Sequence, residues 1–449
     1  MTNIEKYELL SQGDGGLASV MGIVPYDKNQ DFSASRIEQS LRYNSDFGLL
    51  SFSPLEENNE FYIAGFAAEI EYMGQQYDVD IYVSKAEGLY LQDYGFANNI
   101  DKESLKVAQG QQYYIETSMF FGEDNLASFH LQLKLMNAIV PKASVVIDFM
   151  SYRLLSAKWL SLSARSSIPP SPDYLYTLHC VYDQEEDNDN KRYWFHTHGL
   201  LRCGSVELEM LNITQGIEQM HTLMNMTVKK FLTDPSREKE QFAIGYDGMG
   251  INLCWLRWEE ALNDFPANIL GGMNDRKQDG DIHASPSGIL FAVEDKNMTS
   301  PEIYASTLAD NPIYYISTEE TSRMSALAKE RFGMFKEVFE KENPWKEKKS
   351  FIKNIFGSKG PGDSDWSFLV KLGLTVDDAE TGSDKEHLWF DVISVNEDEM
   401  EVKLLNQPYW ISSIKEGGIY KYPTELLTDW IIYGPESTYT PDSIYELGF

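Results

Sequence analysis

At 449 residues the chain is too long for one ordinary core, and 42% hydrophobic with 13% aromatic content makes its pieces globular rather than disordered. A net charge of −32 argues against non-specific binding to nucleic acid or anionic lipid, both of which would be repelled at long range. It favours solubility and names no ligand.

In chain order, LASVMGIVPYD reads as a strand, and SASRIEQSLRYN as a short helix capped at Ser33 or Ser35 with Ile37 and Leu41 on its apolar face. FYIAGFAAEIEYM and QYDVDIYVSK are strands joined in a hairpin at Gly74, and NLASFHLQLKLMNAIVP has helical spacing between two further strands. An N-terminal α+β domain over 17–165 follows. SSIPPSPD, with three prolines in eight residues, marks a boundary. Beyond it, YLYTLHCVYD, the acidic loop QEEDNDN and RYWFHTHGLL read as a hairpin. A helix follows with Ile217, Met220, Met224 and Phe231 on one face, then strands, then a long amphipathic helix near 317–342. These make a central α+β domain over 174–343. Residues 344–363 read as a linker, basic and then rich in Gly, Pro and Ser. Short strands at near-regular spacing then give a small β-rich domain over 364–449. The fold class expected is α+β, with mixed and antiparallel sheets and packed helices, followed by that small β-rich domain.

Three widely spaced cysteines, Cys180, Cys203 and Cys254, contain no Cys-x-x-Cys pair and fit a reducing compartment. The start MTNIEKYELLSQGDGG is no signal peptide, and no stretch reaches the ~18 apolar residues of a membrane helix. A cytoplasmic protein is expected.

In the C-terminal piece, EHLWFDV, LLNQP, IKEGG and TDWIIY resemble the bacterial domain-of-unknown-function family numbered 2314. His387, Trp389, Asn406, Pro408, Asp429 and Trp430 stand at its His-x-Trp, Asn-x-Pro and Asp-Trp positions, with Trp389 and Trp430 expected to be buried and Asp429 to bond backbone. Gly418 departs from it, standing where Asp is usual. LYTLHCVYD and FHTHGLLRCGSVELE resemble the family numbered 4026, over roughly 17–340. The two resemblances imply an architecture and no activity.

The one stretch that suggests chemistry is RYWFHTHGLLRCGSVELEML. His196 and His198, two apart on a strand, point to one face, and Glu207 and Glu209 do the same on the return strand. Two imidazoles plus a carboxylate is a donor set that catalytic zinc uses. Further ligands could come from Asp279, Asp281 or His283 in a Gly-rich loop. The plainer expectation is a structural hairpin, in which three ligand atoms do not converge within roughly 4 Å and a histidine turns against an aromatic neighbour. No phosphate loop, nucleophile elbow or activated cysteine is recognisable. The leading expectation is therefore a non-catalytic protein-binding module, toxin-neutralising or stress-related by analogy, with another protein as partner, no nucleic acid, no membrane and no cofactor. The alternatives are a zinc-dependent hydrolase using His196, His198 and Glu207, and a small-ligand sensor.

Overall fold

The computed structural model describes residues 3–55, 61–183, 191–245, 250–276, 282–310, 318–342, 366–379 and 384–448. The expected linker 344–363, the acidic loop 184–190, Asp279 and Asp281 lie outside the described residues. The architecture is α+β, with three sheets. No described helix is long and apolar enough to cross a membrane.

The first sheet contains β1 (Ser19–Pro25), β2 (Gly48–Pro54), β3 (Tyr62–Tyr72), β4 (Gln75–Lys85), β5 (Gly95–Phe96), β6 (Tyr113–Met119), β7 (Ala143–Asp148) and β8 (Arg153–Ser156). Their spatial order is β2-β3-β4-β6-β1-β7-β8-β5. The hairpin between β3 and β4 turns on Met73 and Gly74, both at positive φ, the two-residue turn that matches the twist of antiparallel strands. Helix Asn125–Ile139 is buried along most of its length, so its polar side chains need internal partners. Gln132 Nε2 donates to the Ser19 carbonyl at 2.9 Å, and Lys134 Nζ to the Ala164 carbonyl at 2.7 Å.

The second sheet contains β9 (Thr177–Tyr182), β10 (Tyr193–His198), β11 (Glu207–Ile213), β12 (Phe242–Ile244), β13 (Ile251–Arg257), β14 (Ser287–Glu294) and β15 (Asn297–Thr299). The order is β12-β13-β14-β11-β10-β9, with β15 beside β14, and the β11–β14 pair is parallel. On one face Phe195, Leu208 and Met210 meet Met220, Leu223 and Phe231 of helix Ile217–Thr233. On the other, Trp194, Leu211, Leu256 and Ile289 pack under Leu262, Ile269 and their neighbours. Period-two alternation therefore buries β10 on both sides.

Both sheets belong to one compact unit, residues 1–165 and 169–315. A fully buried ion pair joins them. Arg202 Nη1 and Nη2 donate to the two Asp148 oxygens at 2.9 and 2.8 Å.

The second unit comprises residues 166–168 and 316–449. Its sheet contains β16 (Ser367–Thr375), β17 (Lys385–Val395), β18 (Glu399–Leu404), β19 (Ile419–Pro423), β20 (Leu427–Tyr433) and β21 (Thr438–Tyr439), ordered β19-β18-β17-β16-β20-β21. The stretch near 317–342 forms two helices, Thr318–Glu330 and Phe332–Glu342. The sequence reading places this stretch with the central domain, whereas the structure groups it with the third sheet. Phe335 meets Trp430 and Phe368 at 5.4 and 5.7 Å between ring centroids, and Trp430 Nε1 donates to the Ala328 carbonyl. An amphipathic pattern shows that a helix has a core face, and nothing in it says which sheet supplies the other half.

Candidate metal centre

His196 and His198 lie on the β10 face that also carries Trp194. On edge strand β9, His179 is directly opposite His196. His283 sits in the short turn Ile282–Ala284 leading into β14. One ligand nitrogen each from His196, His198 and His283 lies within 4.8 Å of the others. The three nitrogens come together, more loosely than the roughly 4 Å expected of a preformed site. The expected aromatic neighbour is also present, since the Trp194 ring lies 4.0 Å from that of His196. His179 completes a group of four rings, 5.1 Å from His196 and 5.3 Å from His198.

Burial holds His179, His196 and His198 neutral. It pushes His196 down to about 2 and His198 down to about 3, with the neighbouring imidazoles adding to the effect, and it lowers His179 as well. A neutral imidazole is the form that binds a metal. Nδ1 of His196 and Nε2 of His179 are buried without a hydrogen-bond partner. Such atoms are costly, so each one calls for an explanation, and an ion or a water is the usual one. The recess bounded by the three histidines, Glu207, Glu209, Ser285 and Ser287 has room for about one water.

Glu207 and Glu209 do not supply ligands to this group, which corrects the carboxylate part of the expected donor set. Glu207 accepts from the backbone N–H of Gly199 at 2.8 Å and of Leu201 at 3.2 Å, and from Thr197 Oγ1 at 2.7 Å. It ties down the turn that ends β10, where Gly199 has φ +114° and a Cβ would lie 2.4 Å from the Leu175 carbonyl. Glu209 pairs with Arg276, whose Nη1 and Nη2 donate at 3.0 and 2.6 Å, and it also accepts from Trp194 Nε1 at 2.7 Å and from Ser287 Oγ. Arg276 Nη1 further donates to the His283 carbonyl at 2.7 Å. The two carboxylates therefore position the histidines through a backbone turn, an arginine and a tryptophan.

The C-terminal motif does not form a comparable group among the described residues. His387 is exposed, with Nδ1 at 3.1 Å from Thr428 Oγ1. Asn406 Oδ1 accepts from the Trp389 N–H at 3.2 Å, Pro408 is buried, and Asp429 accepts from the Trp430 N–H at 2.8 Å. Burial raises Asp429 to about 6. Trp430 is fully buried, as the sequence leads one to expect. Trp389 is only half-buried, with Lys371 5.6 Å from its ring, because Leu388 and Phe390 take the inward positions of β17.

His179 is the residue that sequence reasoning passes over, and a signal for it exists. It lies three residues before Tyr182, as His196 lies three after Tyr193, and Tyr182 and Tyr193 are paired across the hairpin. Arg276 leaves no such signal, since its role depends wholly on tertiary contacts.

Three sheets with packed helices, and four imidazoles gathered on the middle one, define an α+β multidomain protein with a candidate metal centre. Residues 19–170 match the family model described as protein of unknown function (DUF4026) N-terminal, and residues 178–291 its C-terminal counterpart. Residues 324–444 match the model described as uncharacterized protein conserved in bacteria (DUF2314). The chain belongs to the DUF4026 family over its first two sheets and carries a DUF2314 domain after them. All four clustered histidines fall within the second match. No curated protein and no solved structure matches the chain.

Proposed function

We propose that the second sheet binds a divalent transition-metal ion through His196, His198 and His283, with His179 beside them. Three imidazole nitrogen donors with no thiolate or carboxylate among them suit zinc among the common ions. The observation that carries this reading is the convergence of three histidine nitrogens, one of whose rings retains a buried nitrogen with no partner. A three-histidine set leaves a coordination position for water, so metal-assisted hydrolysis is the reaction class it would support. The protein's contribution is orientation, with Arg276 holding the turn that bears His283 and Trp194 packing against two of the rings. This ranks the metal reading above the protein-binding module that the sequence alone favours. Protein purified without a polyhistidine tag is expected to carry about one ion per chain, and the His196→Ala/His198→Ala variant none. Background metal in both, with no zinc binding by calorimetry, would remove the proposal. Hydrolysis of an activated ester that tracks metal content would assign the reaction class.

A second reading, in which the C-terminal domain binds another protein, is favoured by Tyr409 and Trp410, which are 88% and 70% exposed. Their backbone N–H groups are pinned by the Glu386 carboxylate at 2.8 and 3.0 Å, so the aromatic pair is presented by a fixed loop. A photo-crosslinker at position 410 is expected to give discrete adducts in cells, and the absence of any would count against this reading.

A further inference from the structure

The first sheet carries a recess of its own, about 520 Å³, unrelated to the histidines. Its floor is the face of β4 and β6 on which Tyr82, Tyr114 and Glu116 lie, and Tyr62, Tyr94 and Phe149 wall it. Two glycines make this possible. Glu116 is flanked by Gly22 on β1 and by Tyr82 on β4, and Tyr82 in turn lies opposite Gly65 on β3. A Cβ on Gly22 would lie 3.1 Å from the Phe149 ring and 3.2 Å from that of Tyr114, and one on Gly65 would lie 3.2 Å from the Tyr82 ring. The aromatic rings thus lie over bare backbone and close in on a single carboxylate. Tyr62 and Tyr82 are 4.8 Å apart, and Phe149 links Tyr94 to Tyr114.

Glu116 accepts a hydrogen bond from the Tyr114 hydroxyl at 3.1 Å, and no basic side chain among the described residues pairs with it. Partial burial raises its pKa, as expected of a carboxylate lacking a counter-charge. At the mouth Lys85 and Glu87 are exposed and opposite in sign, so the charge within is that of Glu116. Aromatic faces attract cations, and a half-desolvated carboxylate among them supplies the matching charge. We infer that this recess binds a small organic cation, an amine or quaternary ammonium group, with its charge beside Glu116 and its body against Tyr82, Tyr94, Tyr114 and Phe149. The net charge of −32 draws cations towards the molecule.

The test uses the full chain and titrates choline, butylamine and the uncharged choline isostere 3,3-dimethylbutanol, read by calorimetry and tyrosine fluorescence. Saturable binding of at least one cation is expected, weaker by on the order of tenfold or more for the neutral isostere and for Glu116→Gln. Tyr82→Leu should weaken it comparably, while Tyr82→Phe, which keeps the ring, should largely preserve it. The His196→Ala/His198→Ala variant should bind as the wild type does, which separates this inference from the metal reading. No saturable binding of either cation, equal binding of the neutral isostere, or unchanged binding by a folded Glu116→Gln protein would each overturn it.

Discussion

Strands β10 and β17 are built from the same kinds of residue and end in opposite states. Each carries histidine and tryptophan at alternating positions, Trp194, His196 and His198 in one and His387 and Trp389 in the other. In β10 these positions face a covered side of the sheet, and the imidazoles are buried. In β17 they face outward, and His387 is exposed with Thr428 at hand. A motif of metal-ligand residue types therefore says little until the strand's two faces are known. Burial without partners marks β10 as the candidate site, and satisfied or solvent-facing groups mark β17 as framework.

The sharpest way to break this comparison is to remove the support behind β10. Arg276→Ala leaves Glu209 buried and unpaired, so a loss of roughly 3–5 kcal/mol is expected in denaturant unfolding of the first unit. A loss under about 1 kcal/mol would mean that the turn bearing His283 is held by something else. On the framework side, Trp430→Ala should cost about 3–5 kcal/mol, while Trp389→Ala, half-buried, should cost about 1 kcal/mol. Equal effects would contradict the alternation described for β17 and β20. Zinc at a hundredfold excess over its dissociation constant should stabilise the wild-type first unit by about 2.7 kcal/mol. His387→Ala should keep that stabilisation and His196→Ala/His198→Ala should lose it, as read from melting curves with and without the ion.

The two units also respond to pH, with opposite signs. An unfolded histidine takes up a proton near 6.5, whereas folded His196 and His198 resist protonation down to about 2 and 3. Below pH 6.5 the unfolded chain binds more protons, so acidification destabilises the unit that carries β10. Asp429 does the reverse, because its folded carboxyl keeps a proton up to about 6 and the ordinary one only to 3.8. Between those values the folded state binds more protons, so its contribution to stability grows as pH falls from about 6 towards 3.8. Asp429→Asn should flatten that gain in the C-terminal unit, and His196→Ala should flatten the loss in the first. Unfolding curves at pH 7, 6 and 5, read by tryptophan fluorescence for each variant, would show slopes of one sign if the assignment were wrong.

Much of this was legible in the sequence, and the limits are physical. The parity of His196 and His198, the hairpin at Gly74 and the burial of Trp430 follow from periodicity and turn chemistry, which are local. His283 could be named as a reserve ligand because it stands with Asp279 and Asp281 in one short Gly-containing stretch. The roles of Glu207 and Glu209 are not legible there, because their partners, Gly199 and Arg276, are brought within reach only by the folded turns. Trp389 was misplaced because strand phase depends on which neighbours fill the core. The helices over 318–342 were recognisable as amphipathic, and their sheet was not.

The parallel pairing of β11 with β14 has a kinetic consequence. His196 and His198 belong to a local hairpin, whereas His283 joins them only when a long crossover brings β14 beside β11. Non-local pairing of this kind forms late, because the chain between must be ordered before the contacts reward it. An ion held by all three rings cannot nucleate the fold. It would leave the refolding rate nearly unchanged and slow unfolding instead, acting as a latch on a finished sheet.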